Sequence, residues 1–388
     1  MAFEMVCSRC AKRHDALTYR LACEACGGLF EIEYDAAPAV RSPGSAGTRG
    51  MRRFASTLPI RDPANMVTLG EGDTPVIPLP GIGARMGLDR LYGKLECINP
   101  TGAFKDRGNA VQVTVLKELG IKAAIDIAGG NAGHSFASYC ARAGIKFVGF
   151  AYEDPLHPKL QAIAHTGAEI HRVDGDRIAC FAAAKAFSEE TGTLNMVYAR
   201  NAYFIEGQKT IAYEIAEQFD VLPEHIVVPV GNGSVLLGLW RGFKELVMDG
   251  RIEAMPRLHA AQASAFQPLV AALDGKAWTA APGADSVAVG IRNPAPPRLD
   301  RLVSACRDSG GEAVAVDDAS TLRWHRRLAE LDGVLIEPTS ATALAAAELL
   351  IARGVIKKDD LVLLPLTGFG IKEPINFPEL MSSALQLP

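Results

Sequence analysis

Residues 122–150 read KAAIDIAGGNAGHSFASYCARAGIKFVGF. The first seven residues, apolar apart from Lys122 and Asp126, have the length of a buried strand. Residues 132–143 suit a helix, and residues 146–150 form a second apolar run. A strand, a glycine turn, a helix and another strand within thirty residues form the repeating unit of a parallel sheet. The pattern recurs along the chain. IVVPV at 226–230 predicts a strand, 234–248 a helix, and LVLLPL at 361–366 a late strand. The expectation is an α/β fold with a mostly parallel sheet, without a fixed-period repeat or a low-complexity tract.

The 388 residues exceed the usual size of one compact domain, so two domains with a small appendage are expected. Hydrophobic residues make up 48% and charged residues 22%, an ordinary globular composition that excludes a disordered chain. A net charge of −4 argues against a nucleic-acid partner. The best membrane candidate, 340–352, is too short to span a bilayer and carries Glu348. The first residues lack the basic-then-apolar layout of a signal peptide, so a cytoplasmic location is expected.

Four of the eight cysteines fall in the first 26 residues, as two Cys-x-x-Cys pairs: Cys7 with Cys10, and Cys23 with Cys26. Each pair can form a thiolate knuckle, and Gly27 and Gly28 permit the turn after the second. Four thiolates in two pairs match a tetrahedral structural zinc site, with no His or carboxylate leaving an open catalytic position. Residues 39–66, rich in Pro, Gly, Ser and Arg (Arg41, Arg49, Arg52, Arg53 and Arg61), read as a solvated linker.

Three strands end in glycine turns: Gly129-Gly130-Asn131-Ala132-Gly133, Gly231-Asn232-Gly233-Ser234, and Thr367-Gly368-Phe369-Gly370. Ligands of open α/β sheets bind beyond the carboxyl ends of strands. The second turn opens a helix, where backbone N–H groups and the helix dipole favour a phosphate, and Ser234 adds a hydroxyl. It is neither a P-loop nor a dinucleotide fingerprint. Lys105 follows Phe104 in the turn NPTGAFKDRG, 99–108, ahead of a helix. An amine buried beside apolar groups becomes a better nucleophile, because its charged form is disfavoured.

NPTGAFKDRG resembles the lysine motif of the threonine synthase family, among the fold-type II (tryptophan-synthase-β-like) pyridoxal 5'-phosphate (PLP) enzymes. The similarity continues through LGEGDTP (69–75), GGNAG (129–133), EGQKT (206–210), VPVGNGS (228–234), EPTSAT (337–342) and LTGFG (366–370). Many members also begin with a Cys-x-x-Cys unit. The resemblance implies a two-domain α/β fold with an N-terminal zinc-ribbon-like unit at 1–38. A linker and the start of the large PLP domain would follow at 39–100, a smaller domain with the asparagine loop at 101–205, and the rest of the large domain with the phosphate loop at 206–388. It makes Lys105, beside Phe104, the Schiff-base lysine and the acid/base. It places Asn131 on the cofactor's phenolic oxygen, Gly231, Asn232, Gly233 and Ser234 on its phosphate, and Thr367 at its pyridine nitrogen. It gives Gly129, Gly130, Ala132 and Gly133 to the substrate carboxylate. A homodimer is a further family expectation.

The chain departs from the family pattern at several positions. Ala128 and Gly129 replace hydroxyl residues, Phe204 stands where an arginine is common, Phe369 replaces a histidine, and His134 follows GGNAG where a small residue is usual. Hydroxyls and a cation that would serve a phosphorylated substrate are absent from these positions, and Arg–phosphate pairs are strong. The expected activity is elimination or replacement on a small amino acid. O-Phosphohomoserine is the family default. A serine-, phosphoserine- or diamino-acid-like substrate, handled in a cysteate-synthase-like β-reaction, is the alternative, and a non-catalytic ligand-binding protein is a third reading. His134 is expected to read the substrate side chain or to shuttle a proton.

Overall fold

A computed structural model describes residues 2–16, 18–35, 40, 49–152 and 154–375. Strands β1 (Phe3–Cys7), β2 (Arg13–His14) and β3 (Phe30–Tyr34) form a small antiparallel sheet in the order β2-β1-β3. Met5, Cys7, Phe30 and Ile32 face the main body and share one core with Ala110 and Val113.

β4 (Val76–Pro78) and β5 (Arg90–Lys94) precede a second sheet built from β6 (Ala123–Ile127), β7 (Lys146–Ala151), β8 (Glu169–Arg172) and β9 (Leu194–Asn195). Its order is β8-β7-β6-β9, and every pairing is parallel. β6 lies inside this sheet, which is why its sequence is apolar on both faces apart from Asp126 instead of alternating. The chain then returns to the first pair of strands. β10 (His225–Pro229), β11 (Arg257–Ala263), β12 (Ala313–Val316) and β13 (Leu361–Pro365) join β5 and β4 in the order β12-β11-β10-β13-β5-β4. Only β4, on the edge, runs antiparallel. The six-stranded sheet thus draws on two separated stretches of chain, with the four-stranded sheet between them in sequence.

The expected helix at 132–143 forms as Gly130–Ala143, because the loop glycines enter its first turn. The helix Ser234–Met248 has its expected bounds. The reading of 39–66 as a solvated linker does not hold for its later part. 3-10 turns span Gly50–Thr57 and Pro63–Asn65, and Met51, Phe54, Leu58, Ile60 and Met66 are buried. The apolar residues among the arginines account for this packing. Arg53 lies 4.3 Å over Phe54 and pairs with Glu217 at 2.7 Å. Arg41 lies outside the described residues. Among those residues, no helix is long and apolar enough to cross a membrane.

Candidate active site

The turn carrying Lys105 is rigid because the two residues after the lysine are buried and fully engaged. Asp106 accepts from the Thr101 amide at 2.7 Å, the Thr101 hydroxyl at 2.5 Å and Ser135 Oγ at 2.6 Å. Burial pushes its carboxyl up to about 6, against the pull of these bonds. Arg107 bridges Glu96 and Glu214 at 2.7 Å each, with all three side chains buried. Asp106 ties the turn to the Gly130–Ala143 helix, and Arg107 ties it to the body. Lys105, first residue of the helix Lys105–Glu118, then projects its Nζ among three rings: Phe104 at 4.4 Å, Tyr198 at 4.5 Å and Phe204 at 5.5 Å from the centroids.

Nζ borders a cleft whose wall brings together Phe104, Lys105, Gly129, Gly130, Asn131 and Ala132 with Gly231 to Ser234 and Thr367. Residues from the first third of the chain and from its last strand turn therefore meet at one site. Gly133 and His134 are not part of the wall. Gly133 packs against the end of β6, where a Cβ would stand 2.8 Å from the Ile127 carbonyl. The His134 Nδ1 is buried without a hydrogen-bond partner. Burial lowers its pKa to about 4, assisted by Lys372 and Lys159, so the ring is neutral near pH 7.

The turn before the helix Ser234–Met248 is shaped for an anion. Gly233 has φ 75, and no side chain caps the helix, so its first N–H groups stay open to the cleft. A Cβ on Gly233 would lie 2.1 Å from Leu302. The Asn232 side chain is committed elsewhere: it donates to Tyr198 Oη at 3.0 Å and accepts from Asn293 at 2.6 Å. It is the backbone of this turn that faces a guest.

Thr367 stands at the end of β13 opposite Ser340. Ser340 Oγ accepts from the Thr367 amide at 3.0 Å and the Gly368 amide at 3.1 Å, and lies 2.8 Å from Thr367 Oγ1. With both lone pairs occupied, Ser340 donates its proton to Thr367. The Thr367 hydroxyl proton is left free to donate to another acceptor.

Several cleft residues were not singled out from the sequence. Tyr198 and the carboxylate Asp126 line it, as do the cations Lys159 and Arg177 and the carboxylate Glu337. Burial raises the Tyr198 phenol pKa, but Lys105, Arg177 and the Asn232 bond outweigh it, and the net shift is downward. Burial pushes Asp126 up to about 6. Glu337 Oε2 accepts from Asn131 at 2.6 Å, and its other oxygen pairs with the buried Lys159 at 2.9 Å. Gly368 makes room for this carboxylate: a Cβ there would stand 2.1 Å from Glu337 Oε2. EPTSAT, which begins at Glu337, carried the available signal. Nothing in the local sequence marked Lys159 or Arg177. Phe204 is fully buried behind the cleft wall, with its ring 5.5 Å from the Lys105 Nζ.

These residues fit PLP. The open helix N-terminus suits a phosphate, the lysine amine stands among aromatic faces, and the Asn131 Oδ1 is buried with no partner. The four N-terminal cysteines also converge, with all their sulfurs within 4.8 Å of one another. That spacing suits tetrahedral thiolate ligation of a metal such as zinc.

Comparison with known proteins agrees with this geometry. Residues 67–368 match the family described as pyridoxal-phosphate dependent enzyme. Threonine synthase of Methanocaldococcus jannaschii is 33% identical over 95% of this chain and 92% of its own length. Threonine synthase of Bacillus sp. (strain ULM1) is 37% identical over 84% of this chain and 90% of its own. Among solved structures, maize serine racemase aligns with a TM-score of 0.67 at 22% identity, over 79% of this chain and 90% of that one. The processed form of threonine deaminase isoform 2 from Solanum lycopersicum aligns at 0.67 and 18%, over 79% and 85%. These two show the shared fold. A PLP-fitting cleft, a family match over most of the chain and threonine synthase relatives of near full length lead to one conclusion: the chain belongs to the pyridoxal-phosphate-dependent enzyme family, with the threonine synthases, and is a PLP-dependent lyase.

Proposed function

We propose that this enzyme acts on a small amino acid carrying an anionic leaving group, with O-phosphohomoserine first in line and threonine and phosphate as products. The observation that carries this reading is the Arg177 cation in the wall of the cleft that holds Lys105; Lys159 beside it is already paired with Glu337 and Glu373.

When bound, PLP supplies the electron sink that allows a proton to leave the substrate Cα. The side chains do the rest. Lys105 takes the Cα proton and moves a second proton at Cβ. The uncapped N-termini at Gly130 and Ser234 hold the substrate carboxylate and the cofactor phosphate, respectively. Thr367, whose hydroxyl proton is left free by Ser340, would donate to the cofactor's ring nitrogen when PLP is bound. Arg177 orients the anionic end of the substrate. For O-phosphohomoserine, phosphate leaves from Cγ and water adds at Cβ. We place a structural zinc on Cys7, Cys10, Cys23 and Cys26, away from this chemistry.

A second reading rests on the two carboxylates, Asp126 and Glu337, in the same wall. They would suit an amine-bearing substrate, such as a diamino acid, in a β-elimination or β-replacement.

The test is to incubate PLP-loaded enzyme with O-phosphohomoserine and to follow phosphate and threonine together. Equal release of both, abolished in Lys105→Ala, supports the proposal. If neither appears while 2,3-diaminopropionate, serine or O-phosphoserine is turned over, the second reading replaces it. Metal analysis giving about one zinc per chain would support the ribbon site; a metal-free, fully folded protein would remove it.

A further inference from the structure

Tyr19 lies between the two cysteine pairs, yet its side chain packs against the core of the main body. Its hydroxyl donates to the Met196 carbonyl at 3.3 Å and accepts from the Asn201 side-chain amide at 2.6 Å. Burial, with Asp126 adding to it, holds the phenol pKa well above its usual range, so the hydroxyl keeps its proton. One side chain of the cysteine-bearing unit thus grips both ends of the segment 196–201.

That segment forms part of the active-site cleft. Val197, Tyr198 and Ala199 all stand in its wall. Val197 has φ 32, where a β-branched side chain is crowded. Such a backbone persists only where its surroundings over-determine it. The residue it presents is Tyr198. The Tyr198 ring lies 4.5 Å from the Lys105 Nζ, and its hydroxyl accepts from Asn232 of the phosphate turn at 3.0 Å.

Asn201 extends the same grip inward, and it is only 2% exposed. Its Nδ2 also donates to Gln112 Oε1 at 3.0 Å, Gln112 Nε2 donates to Asn109 Oδ1 at 2.6 Å, and Asn109 Nδ2 donates to the Ala132 carbonyl at 3.4 Å. Both ends fix the direction of this chain of bonds. The Tyr203 amide donates to Asn201 Oδ1 at 2.9 Å, and Ala132 offers a carbonyl. Gln112 and Asn109 are fully buried, so each link that breaks leaves a polar group without water to replace its partner. Ala132 stands in the cleft wall as well.

From these contacts we infer that Tyr19 is a positioning residue of the active site, holding Tyr198 against Lys105 and the phosphate turn. The unit that carries the four cysteines is then part of the scaffold of the cleft, and not only an appendage docked on the body. The inference is independent of which amino acid the enzyme converts.

The test uses the full chain and reads the cofactor, not turnover. Tyr19→Phe keeps the ring and loses both bonds. Tyr203→Phe serves as the control, because Tyr203 ties the same unit to the body through the Ala16 carbonyl at 2.7 Å and is not in the cleft wall. Titration of each apoprotein with PLP should show about fivefold weaker binding or more in Tyr19→Phe, the scale of one lost buried bond. The pH midpoint of the bound cofactor's absorbance should shift as well. Tyr203→Phe should match the parent in both readouts, even where its melting temperature is lower. In the double variant with Tyr198→Phe, the loss of PLP affinity should be smaller than the product of the two single losses, because both act on one contact. Parental affinity and midpoint in Tyr19→Phe would overturn the inference. Equal changes in Tyr203→Phe would overturn it too, since docking in general would then be the cause. Losses that simply multiply in the double variant would show that Tyr19 does not act through Tyr198.

Discussion

The Asn131 amide donates to the Glu337 carboxylate at 2.6 Å, across 206 positions of sequence. It joins the helix that follows β6 to the start of the helix Pro338–Ala352. Lys159 pairs with the same carboxylate at 2.9 Å and with Glu373 at 2.9 Å. Together these contacts fasten the four-stranded unit to the six-stranded unit at the mouth of the cleft.

Lys159→Met leaves two largely buried carboxylates without their cation. Breaking a buried pair from one side costs about 3 kcal/mol or more. The expected result is a clear fall in melting temperature, and a KM that rises more than kcat falls. A melting point equal to the parent's would mean that the clasp is not closed in solution.

Ser340→Ala removes the acceptor of two buried N–H groups, those of Thr367 and Gly368. Each unsatisfied group costs about 1–3 kcal/mol. The variant should unfold at lower denaturant concentration and lose PLP more readily on dialysis. Thr367→Ser, which keeps the hydroxyl, should retain PLP.

Lys105→Ala should fold with unchanged circular dichroism, because the turn is held by Asp106 and Arg107 and not by the lysine. Turnover should fall by at least about 100-fold, the usual scale of general acid–base catalysis. A variant with near-parental turnover would remove Lys105 from the mechanism.

Stability should depend on a histidine pair at the start of β10 and β11. His225 Nδ1 lies 2.9 Å from His259 Nε2, and His225 Nε2 lies 3.1 Å from Asp360. The Glu312 amide donates to His259 Nδ1 at 3.1 Å. Burial lowers the pKa of both rings, that of His259 to about 3 from 6.5. Below pH 6.5 the unfolded chain gains protons that the folded chain refuses. The stability from a neutral His259 is therefore full above pH 6.5 and is lost as pH falls toward 3, with a slope approaching about 1.4 kcal/mol per pH unit. Melting temperatures between pH 7 and 5 should fall less steeply in His259→Asn than in the parent. Parallel curves would show that the ring does not carry this dependence.

Tyr203→Phe removes the hydroxyl that donates to the Ala16 carbonyl at 2.7 Å, one of the bonds holding the cysteine-bearing unit to the body. A loss of about 1 kcal/mol is expected in a denaturant titration. No change would place the docking of that unit on its apolar face alone.

Sequence alone determined the alternation of strands and helices, because buried parallel strands are mostly apolar on both faces and are usually joined by helical crossovers. It also marked Lys105, Asn131, the phosphate turn and Thr367, since each sits in a glycine-bearing turn with its own local pattern. The four cysteines were legible for the same reason: ligand spacing is a local property. Only the tertiary structure decided what faces what. It buried Phe204 behind the cleft wall, 5.5 Å from the Lys105 Nζ, kept His134 off that wall, and packed Met51 and Phe54 where a solvated linker was expected. It also brought Lys159, Arg177 and Glu337 into the wall of the cleft that holds the lysine. None of these has a local signature, because the partner that gives a charge its meaning, or the surface that buries a ring, lies far along the chain and is supplied only by packing.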